Sequence, residues 1–190
     1  MSEHYGDIAF TEAVRAVQSR SGGGVSDGQA PTAGSGPAVG DPLTEHEQGF
    51  LEACDGFFLA TVSETGWPYV QFRGGPAGFL KVLDAKTLGY ADFRGNVQYV
   101  SVGNLAGDDR ASLILMDYAH RRRLKILGRA RVVEPGEDPA LVARLTLPDY
   151  PARVQRAVII TVEAFDWNCP QHITPRFTAA ELEAAAARGA

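Results

Sequence analysis

The stretch FDWNCPQHITPRF, residues 165–177, gathers several side chains that could do chemistry. The Cys169 thiol and the His172 imidazole are three residues apart, and Trp167 and Arg176 stand on either side of them. Three kinds of site could use this group: a metal centre, a cysteine nucleophile with its base, or the polar rim of a ligand pocket. The number of ligands and the local chain geometry help to decide between them.

The supply of ligands argues against a metal centre. A structural zinc ion takes four Cys or His ligands, and the chain has two Cys and four His in all. His4 and His46 lie in or beside the N-terminal extension, which leaves Cys169, His172 and His120. We therefore expect no metal site.

The same stretch is a poor candidate for a nucleophilic pair. Side chains three residues apart face each other in a helical turn, and Pro170 opposes such a turn. Cys54 is the other cysteine of the chain, and its position in an apolar helix pattern predicts a small buried residue. A reducing compartment would keep both thiols free, so we expect no disulfide.

Size, charge and hydropathy narrow the class of protein. A length of 190 residues fits one domain with extensions. The net charge is -5 and the pI about 5.4, so we expect no nucleic-acid or membrane partner. No run approaches the roughly 18 to 20 apolar residues of a membrane span, and the N-terminus lacks the pattern of a signal peptide. The expected location is the cytoplasm.

The elements that must position these residues are mostly strands. From Gly56 the sequence changes to short β-rich runs separated by turn residues, which predicts meandering antiparallel strands. The predicted strands are FFLATVS, YVQFR, FLKVLD, LGYADF, RASLILMDY, RRRLKILGRARVVE and RAVIITVEAFDW. Strands and helices do not alternate, so we predict a mainly β fold, a small antiparallel barrel with helices at its ends.

Helices are predicted on both sides of the barrel. Apolar spacing predicts a short helix over 8–17, and a capping box of Thr44 and Glu47 predicts another just before the strands. Further helices are predicted over 97–106 and 138–146 and at the Ala-rich C-terminus.

The predicted domain organisation places one barrel domain between two extensions. Residues 19–41 are rich in Gly, Ser and Pro and predict a flexible arm. The predicted parts are an N-terminal helix and arm over 1–42, the barrel over 43–177 and a C-terminal helix over 178–190.

Cationic and amide side chains gather on the predicted strands and turns. Arg73 ends one strand, Lys81 opens the next region, and DFRGNVQYVS passes from a strand into a helix start. A helix start offers free backbone N–H groups, so Arg73, Lys81, Asn96 and Gln98 could surround an anion. The alternative is that these are ordinary surface charges. Sequence motifs for dinucleotides, P-loops and common hydrolases are absent.

From about Phe57 to Arg176 the chain resembles the FMN-binding split-barrel proteins related to pyridoxamine 5'-phosphate oxidase. In that family, an Arg, a short apolar run and a Lys precede a Thr-Asn turn and a Ser-Arg-Lys segment around the flavin phosphate and ribityl chain. Arg73 with the FLK that ends in Lys81 resembles the first part, and DFRGNVQ resembles the second. RRRLKILGRARVVE is similar to a long family strand and sets Arg123 where the family has a glutamine that reaches the isoalloxazine ring.

The resemblance implies an antiparallel split β-barrel that binds FMN non-covalently as a homodimer. The implied cofactor-binding residues are Arg73, Lys81, Asn96, Gln98, Ser101 and Arg123. It also implies an oxidoreductase that acts on a small organic substrate by hydride transfer at flavin N5, with no catalytic residue identified. The alternatives are a non-catalytic flavin- or haem-binding module and an F420-dependent reductase.

The chain departs from the family pattern in two places. Val97 stands where the family has an arginine, and Asp92 replaces a small hydroxyl residue. The C-terminal stretch also differs from that of the vitamin B6 oxidase proper, so that activity is not carried over. The resemblance places Trp167, His172 and Arg176 at the substrate or flavin edge, with a core position for Trp167 and a structural hydrogen bond for His172 as alternatives.

Overall fold

Seven antiparallel strands form the body of the protein in the computed structural model, which describes residues 4–21 and 37–189. The strands are β1 (Gly56–Val62), β2 (Pro68–Gly74), β3 (Lys81–Asp84), β4 (Thr87–Phe93), β5 (Arg110–Asp117), β6 (Arg122–Val133) and β7 (Val154–Trp167). They form one sheet in the order β2-β1-β5-β6-β7-β4-β3. Apart from a residue or two at the ends, each strand coincides with a predicted run.

Six helices surround this sheet in the described part of the chain. They are α1 (Tyr5–Ala9), α2 (Glu12–Arg20), α3 (Glu45–Ala53), α4 (Val100–Gly107), α5 (Pro139–Leu145) and α6 (Ala179–Gly189). The single helix predicted over 8–17 is wrong, because Phe10 leaves the helical conformation between α1 and α2. Thr11 then starts α2, where its side chain accepts a hydrogen bond from the backbone of Val14.

The other helix predictions hold with one shift of boundary. The capping box of Thr44 and Glu47 begins α3 as predicted, and α5 lies within the predicted 138–146. The helix predicted over 97–106 begins later, at Val100. The residues before it form a turn with left-handed backbone, which cannot continue a right-handed helix.

Contacts between strands that are distant in the sheet order show that the sheet curls into a barrel. Three strands separate β1 from β4, yet the rings of Phe57 and Tyr90 lie 5.4 Å apart. Arg73 on β2 and Asp92 on β4 also form an ion pair at 3.2 Å. The barrel encloses a core that includes Leu59, Leu88, Leu113, Leu124, Ile126 and Ile160. The predicted mainly β, antiparallel barrel is confirmed.

The two longest strands bend where their register shifts between Leu127 and Gly128. A Cβ atom at Gly128 would lie 2.5 Å from the carbonyl oxygen of Thr161, so only glycine permits this close approach. Beyond the bend, the same strands form a second apolar cluster, where α5 contributes Val142 and Leu145. Alternate residues of these strands face the barrel core, so the same pair of strands serves both clusters from its two faces.

The N-terminal segment packs on the outside of β6 and β7. Tyr5 is 8% exposed, and the Lys125 ammonium lies 4.9 Å from the centre of its ring. The backbone N–H of Gly40 donates to the carbonyl of Glu163 at 2.7 Å. The predicted flexible arm falls largely on residues 22–36, which lie outside the described residues.

The predicted domain boundaries stay a prediction. In the described part of the chain, no helix is both long enough and apolar enough to cross a bilayer.

Candidate functional site

Two arginines share one carboxylate at an end of the barrel. Arg73 lies opposite Phe57 on the inward side of β2, and its Nη1 is 3.2 Å from Asp92 Oδ1. Arg156 Nε lies 3.6 Å from the other oxygen of Asp92. The Arg73, Asp92 and Arg156 side chains are 19%, 6% and 15% exposed. Burial raises the pKa of Asp92, and the two guanidinium groups oppose that shift. We call these three residues the barrel-end cluster.

The turn before α4 is attached to this cluster through Tyr99. The Arg156 guanidinium lies 5.0 Å from the centre of the Tyr99 ring, and Gln155 Nε2 donates to the Tyr99 hydroxyl at 2.8 Å. Arg156 also pairs with Glu134 at 3.2 Å. The structure therefore brings Arg73 and the turn at 96–99 to the same end of the barrel.

The turn itself combines exposed amides with backbone strain. The Asn96 side-chain oxygen accepts the backbone N–H of Gln98 at 3.2 Å, and both residues are exposed. Val97 has φ 56, a left-handed conformation that costs a β-branched residue of the order of 1 kcal/mol or more. Ser101, in the first turn of α4, is 1% exposed, and its hydroxyl has no hydrogen-bond partner among the described residues.

Lys81 faces a different side of the sheet. It pairs with Gly89 across β3 and β4, and a Cβ atom on Gly89 would point at Leu145 in the cluster under α5. Lys81 Nζ accordingly donates to the carbonyl of Arg144 on that helix at 2.7 Å. The structure thus does not bring Lys81 to Arg73, which points into the barrel.

Arg123 is also separate from the barrel-end cluster. It alternates with the buried Leu124 along β6 and therefore faces outward. Arg123 Nη2 donates to the carbonyl of Cys169 at 3.1 Å, which ties β6 to the segment after β7. Arg123 Nε is buried and has no hydrogen-bond partner within the described residues.

An apolar surface covers the outside of β2, β1 and β5. Strand register aligns Phe72 with Phe58 and Phe58 with Ile114 on one side of the sheet. Val70 and Phe72 are 60% and 57% exposed. The Phe72 ring lies directly over Gly56, where a Cβ atom would be 2.4 Å from it. We call this surface, with Val70, Phe72, Phe58 and Ile114, the outer face.

Trp167 is part of the packing at the other end of the barrel. Its indole Nε1 donates to Glu47 Oε1 at 2.7 Å, and its ring lies 4.8 Å from both Phe50 and His46. Burial would raise the pKa of Glu47, but hydrogen bonds from Thr44, Trp167 and His46 lower it to about 2. Trp167 therefore anchors α3 to the last strand.

His172 and Arg176 follow different paths after β7. His172 is exposed and has a left-handed φ of 63. The Arg176 guanidinium lies 4.9 Å from the centre of the Tyr118 ring. The Arg176 side chain lines a cleft of about 490 Å³ between α3, the β5–β6 hairpin and the start of α6. We call it the hairpin cleft.

The hairpin cleft contains polar residues that the sequence reasoning missed. Asp117, His120 and Arg122 line it, with both Asp117 oxygens 2.9 to 3.0 Å from His120 Nδ1. Arg122 Nη2 donates to Asp117 at 2.9 Å. The signal that could have found them is the spacing Asp-x-x-His at a hairpin, which lets an Asp side chain bond to residues just after it.

The described part of the chain contains neither a disulfide nor a cluster of three metal ligands. Burial, with Asp117 and Asp55 nearby, raises the pKa of Cys54 to about 12, so the thiol stays protonated. Cys54 and Cys169 are both free. Within residues 4–21 and 37–189, no three His, Cys, Asp or Glu side chains gather as metal ligands would.

Comparison with known structures identifies the fold. HupZ of Group A Streptococcus matches with 15% identity and a TM-score of 0.54, over 71% of this chain and 99% of that one. A Lactobacillus delbrueckii protein, assigned provisionally as a pyridoxamine 5'-phosphate oxidase, matches with 22% identity and a TM-score of 0.52, over 66% and 93% of the two chains. A Clostridium acetobutylicum protein related to general stress protein 26 gives 17% identity and a TM-score of 0.50, over 72% and 94%. At these identities the likeness shows the split-barrel fold alone.

Sequence comparison identifies the family. No protein with a curated description matches the chain significantly. The profile of the family described as pyridoxamine 5'-phosphate oxidase, however, matches residues 43–168, well over half of the chain. The match spans every strand of the barrel, and the fold of the solved relatives agrees with it. The chain therefore belongs to the pyridoxamine 5'-phosphate oxidase family.

Proposed function

We propose that the chain binds FMN non-covalently, at a site shared by two copies of the chain, and acts as an oxidoreductase on a small organic substrate. The observation that carries this proposal is a set of unsatisfied polar atoms. Five buried polar atoms of the described residues have no hydrogen-bond partner. Two of them, Arg156 Nε and Asp166 Oδ2, lie in ion pairs, and the other three are Arg73 Nε, Ser101 Oγ and Arg123 Nε. Such atoms are costly, and a bound molecule or water usually satisfies them. All three belong to residues that the family resemblance assigns to the flavin.

The directions of these side chains support a shared site. Arg73 points inward at the barrel end, whereas Arg123 points outward from β6. We therefore place the flavin between two copies, with Arg73 from one and Arg123 from the other. The outer face supports such a dimer, because the exposed Val70 and Phe72 are apolar side chains that a second copy would cover.

The phosphate is assigned to Arg73 and to the turn that holds Asn96 and Gln98. The charges of Arg73 and Arg156 are already balanced by Asp92 and by Glu134. A phosphate at this end would therefore depend on directed N–H groups of the turn more than on net positive charge. Lys81, which faces the other side of the sheet and donates to the Arg144 carbonyl, is not assigned to this phosphate.

Bound FMN would supply hydride transfer at its N5 atom. The chain's own residues would bind and orient it, and a guanidinium such as Arg123 beside the ring would stabilise negative charge on the reduced form. His172 is proposed at the substrate edge, whereas Arg176 lines the hairpin cleft and Trp167 is held in the packing by Glu47. No residue is assigned as a general acid or base.

The absorption spectrum of the purified chain tests the proposal, together with the mass of the ligand that it releases on denaturation. We expect a flavin spectrum and the mass of FMN, one molecule per chain. A Soret band would indicate haem, the mass of F420 would indicate a deazaflavin, and a colourless chain that fails to bind added FMN would exclude a flavin site. Reduction by NADH or NADPH, with a named acceptor, then separates an oxidoreductase from a binding module.

A further inference from the structure

The hairpin cleft has the size of a site for a small organic molecule. Its volume of about 490 Å³ falls in the range of roughly 300 to 1,000 Å³ that is usual for such sites. Phe50, Met116 and Phe177 give it apolar walls, and polar side chains stand at its rim. It contains none of the residues assigned above to the flavin phosphate.

The imidazole of His120 is held in one orientation in this cleft. The backbone N–H of His120 donates to Asp117 Oδ1 at 2.9 Å, and the ring Nδ1 lies 2.9 Å from Oδ2. Arg122 holds the same carboxylate through its Nε at 3.2 Å and its Nη2 at 2.9 Å. Since these contacts fix Nδ1, the other ring nitrogen is left for a ligand, and it has no hydrogen-bond partner within the described residues.

Arg176 provides a positive charge in the same cleft. Its guanidinium packs on the Tyr118 ring and forms no ion pair with any described carboxylate. Glu181, which also lines the cleft, is already engaged by the backbone N–H and hydroxyl of Thr178 at 2.7 and 2.8 Å. The guanidinium donors of Arg176 therefore stay available, and their planar fork matches the two oxygens of a carboxylate.

The remaining rim charges limit the charge of the ligand. Asp117 is neutralised by Arg122, whereas Glu181, which caps α6, keeps its negative charge. Asp55 is exposed at the rim and would repel a second negative charge. Arg176 can hold one carboxylate, and the charges of Glu181 and Asp55 oppose a second one, so the lining fits at most a monocarboxylate with an apolar body.

We propose that the hairpin cleft binds a small organic monocarboxylate, with Arg176 on the carboxylate, His120 as a hydrogen-bonding partner and Phe50 and Met116 against the apolar body. Nothing in this inference depends on a bound flavin. It assigns a ligand site to the β5–β6 hairpin and the start of α6, beyond the proposed redox function.

Calorimetric titration of the full chain, as purified, with benzoate and with its neutral analogue benzamide tests the site. We expect saturable benzoate binding, with benzamide weaker by about tenfold or more because Arg176 loses its anionic partner. Arg176→Gln should weaken benzoate by a similar factor. Arg131→Gln is the matched control, since Arg131 is also exposed and pairs with Glu137 outside the cleft.

Two-dimensional NMR of the histidine rings gives the second readout. Benzoate should shift the His120 ring signals and leave in place those of His4, which does not line the cleft. Thermal unfolding of Arg176→Gln confirms that the variant folds. The proposal is overturned by any of three results: no saturable benzoate binding, equal affinity of the wild type and Arg176→Gln for benzoate, or binding that leaves the His120 signals unmoved.

Discussion

The barrel-end cluster and the hairpin cleft use the same types of side chain in opposite ways. At the barrel end, Arg73 and Arg156 are less than a fifth exposed and share Asp92, so their charges join β2 to β4 and β7. In the cleft, His120 is 70% exposed, and Arg176 faces the cavity without an ion pair among the described residues. Burial and pairing, more than residue type, separate a group that holds the fold from one that is free to bind a ligand.

The largest expected effect tests the structural half of this comparison. Asp92→Asn keeps the volume of the side chain but leaves the Arg73 guanidinium without a counter-charge and leaves Arg156 with Glu134 alone. We expect the free energy of unfolding to fall by about 3 kcal/mol. Urea denaturation, followed by circular dichroism, measures the change.

Arg176→Gln is the matched control from the cleft. It removes a charge that makes no ion pair within the described residues, so the free energy of unfolding should change little. If both variants are equally stable, the contrast between the two groups is wrong. A large loss of stability in Arg176→Gln would show instead that Arg176 holds α6 in place.

A second variant concerns α3, which forms one wall of the hairpin cleft. Glu47 is 5% exposed, and its carboxylate accepts hydrogen bonds from Trp167 and Thr44. Glu47→Gln should lower the free energy of unfolding by about 1 to 3 kcal/mol at neutral pH. Trp167→Phe removes the indole donor of the same hydrogen bond and should lower the free energy of unfolding by a similar amount.

The pH dependence of that stability has a definite sign. The pKa of Glu47 is about 2 in the folded chain, below its ordinary 4.5. The ionised carboxylate therefore stabilises the fold fully above pH 4.5, and this contribution declines as the pH falls from 4.5 towards 2. The free energies of unfolding of the wild type and Glu47→Gln, measured as the pH is lowered, should converge over this window. Parallel curves would contradict the assignment.

The sequence predicted what depends on local pattern and missed what depends on closure of the barrel. The strands follow from alternation, and the capping box of Thr44 and Glu47 lies within one turn of helix. Arg73 and Asp92 are 19 residues apart, and they meet only because the sheet curls. Val97 is a poor residue for a left-handed turn, so no propensity could place the break before α4.

The side of the sheet that Lys81 faces could not be predicted from the sequence, because it also depends on how the strands pair. Spacing along the chain put it near Arg73, but the strand pairing with Gly89 decides which side of the sheet it faces. The hairpin cleft needs residues from three separate elements, so no single stretch of sequence contains it. Asp117 and His120 were within reach of local reasoning, because they are three residues apart.

The smallest expected effect adds a charge to the barrel end. Val97 is 49% exposed in the turn assigned to the phosphate. Val97→Arg should tighten FMN binding by about three- to tenfold and leave riboflavin, which lacks the phosphate, unchanged. Val97→Gln, of similar length and without charge, is the control. Fluorescence titration measures both ligands, and equal gains for FMN and riboflavin would mean that the phosphate is held elsewhere.

The central claim is that two copies of the chain share each flavin across the outer face. Sedimentation velocity of the FMN-loaded chain, followed at the visible absorbance of the flavin, tests it most directly. We expect the flavin to sediment with a dimer, and Phe72→Asp, which places a charge on the exposed outer face, to yield monomers that lose FMN. A monomer that sediments with one FMN per chain would contradict the account.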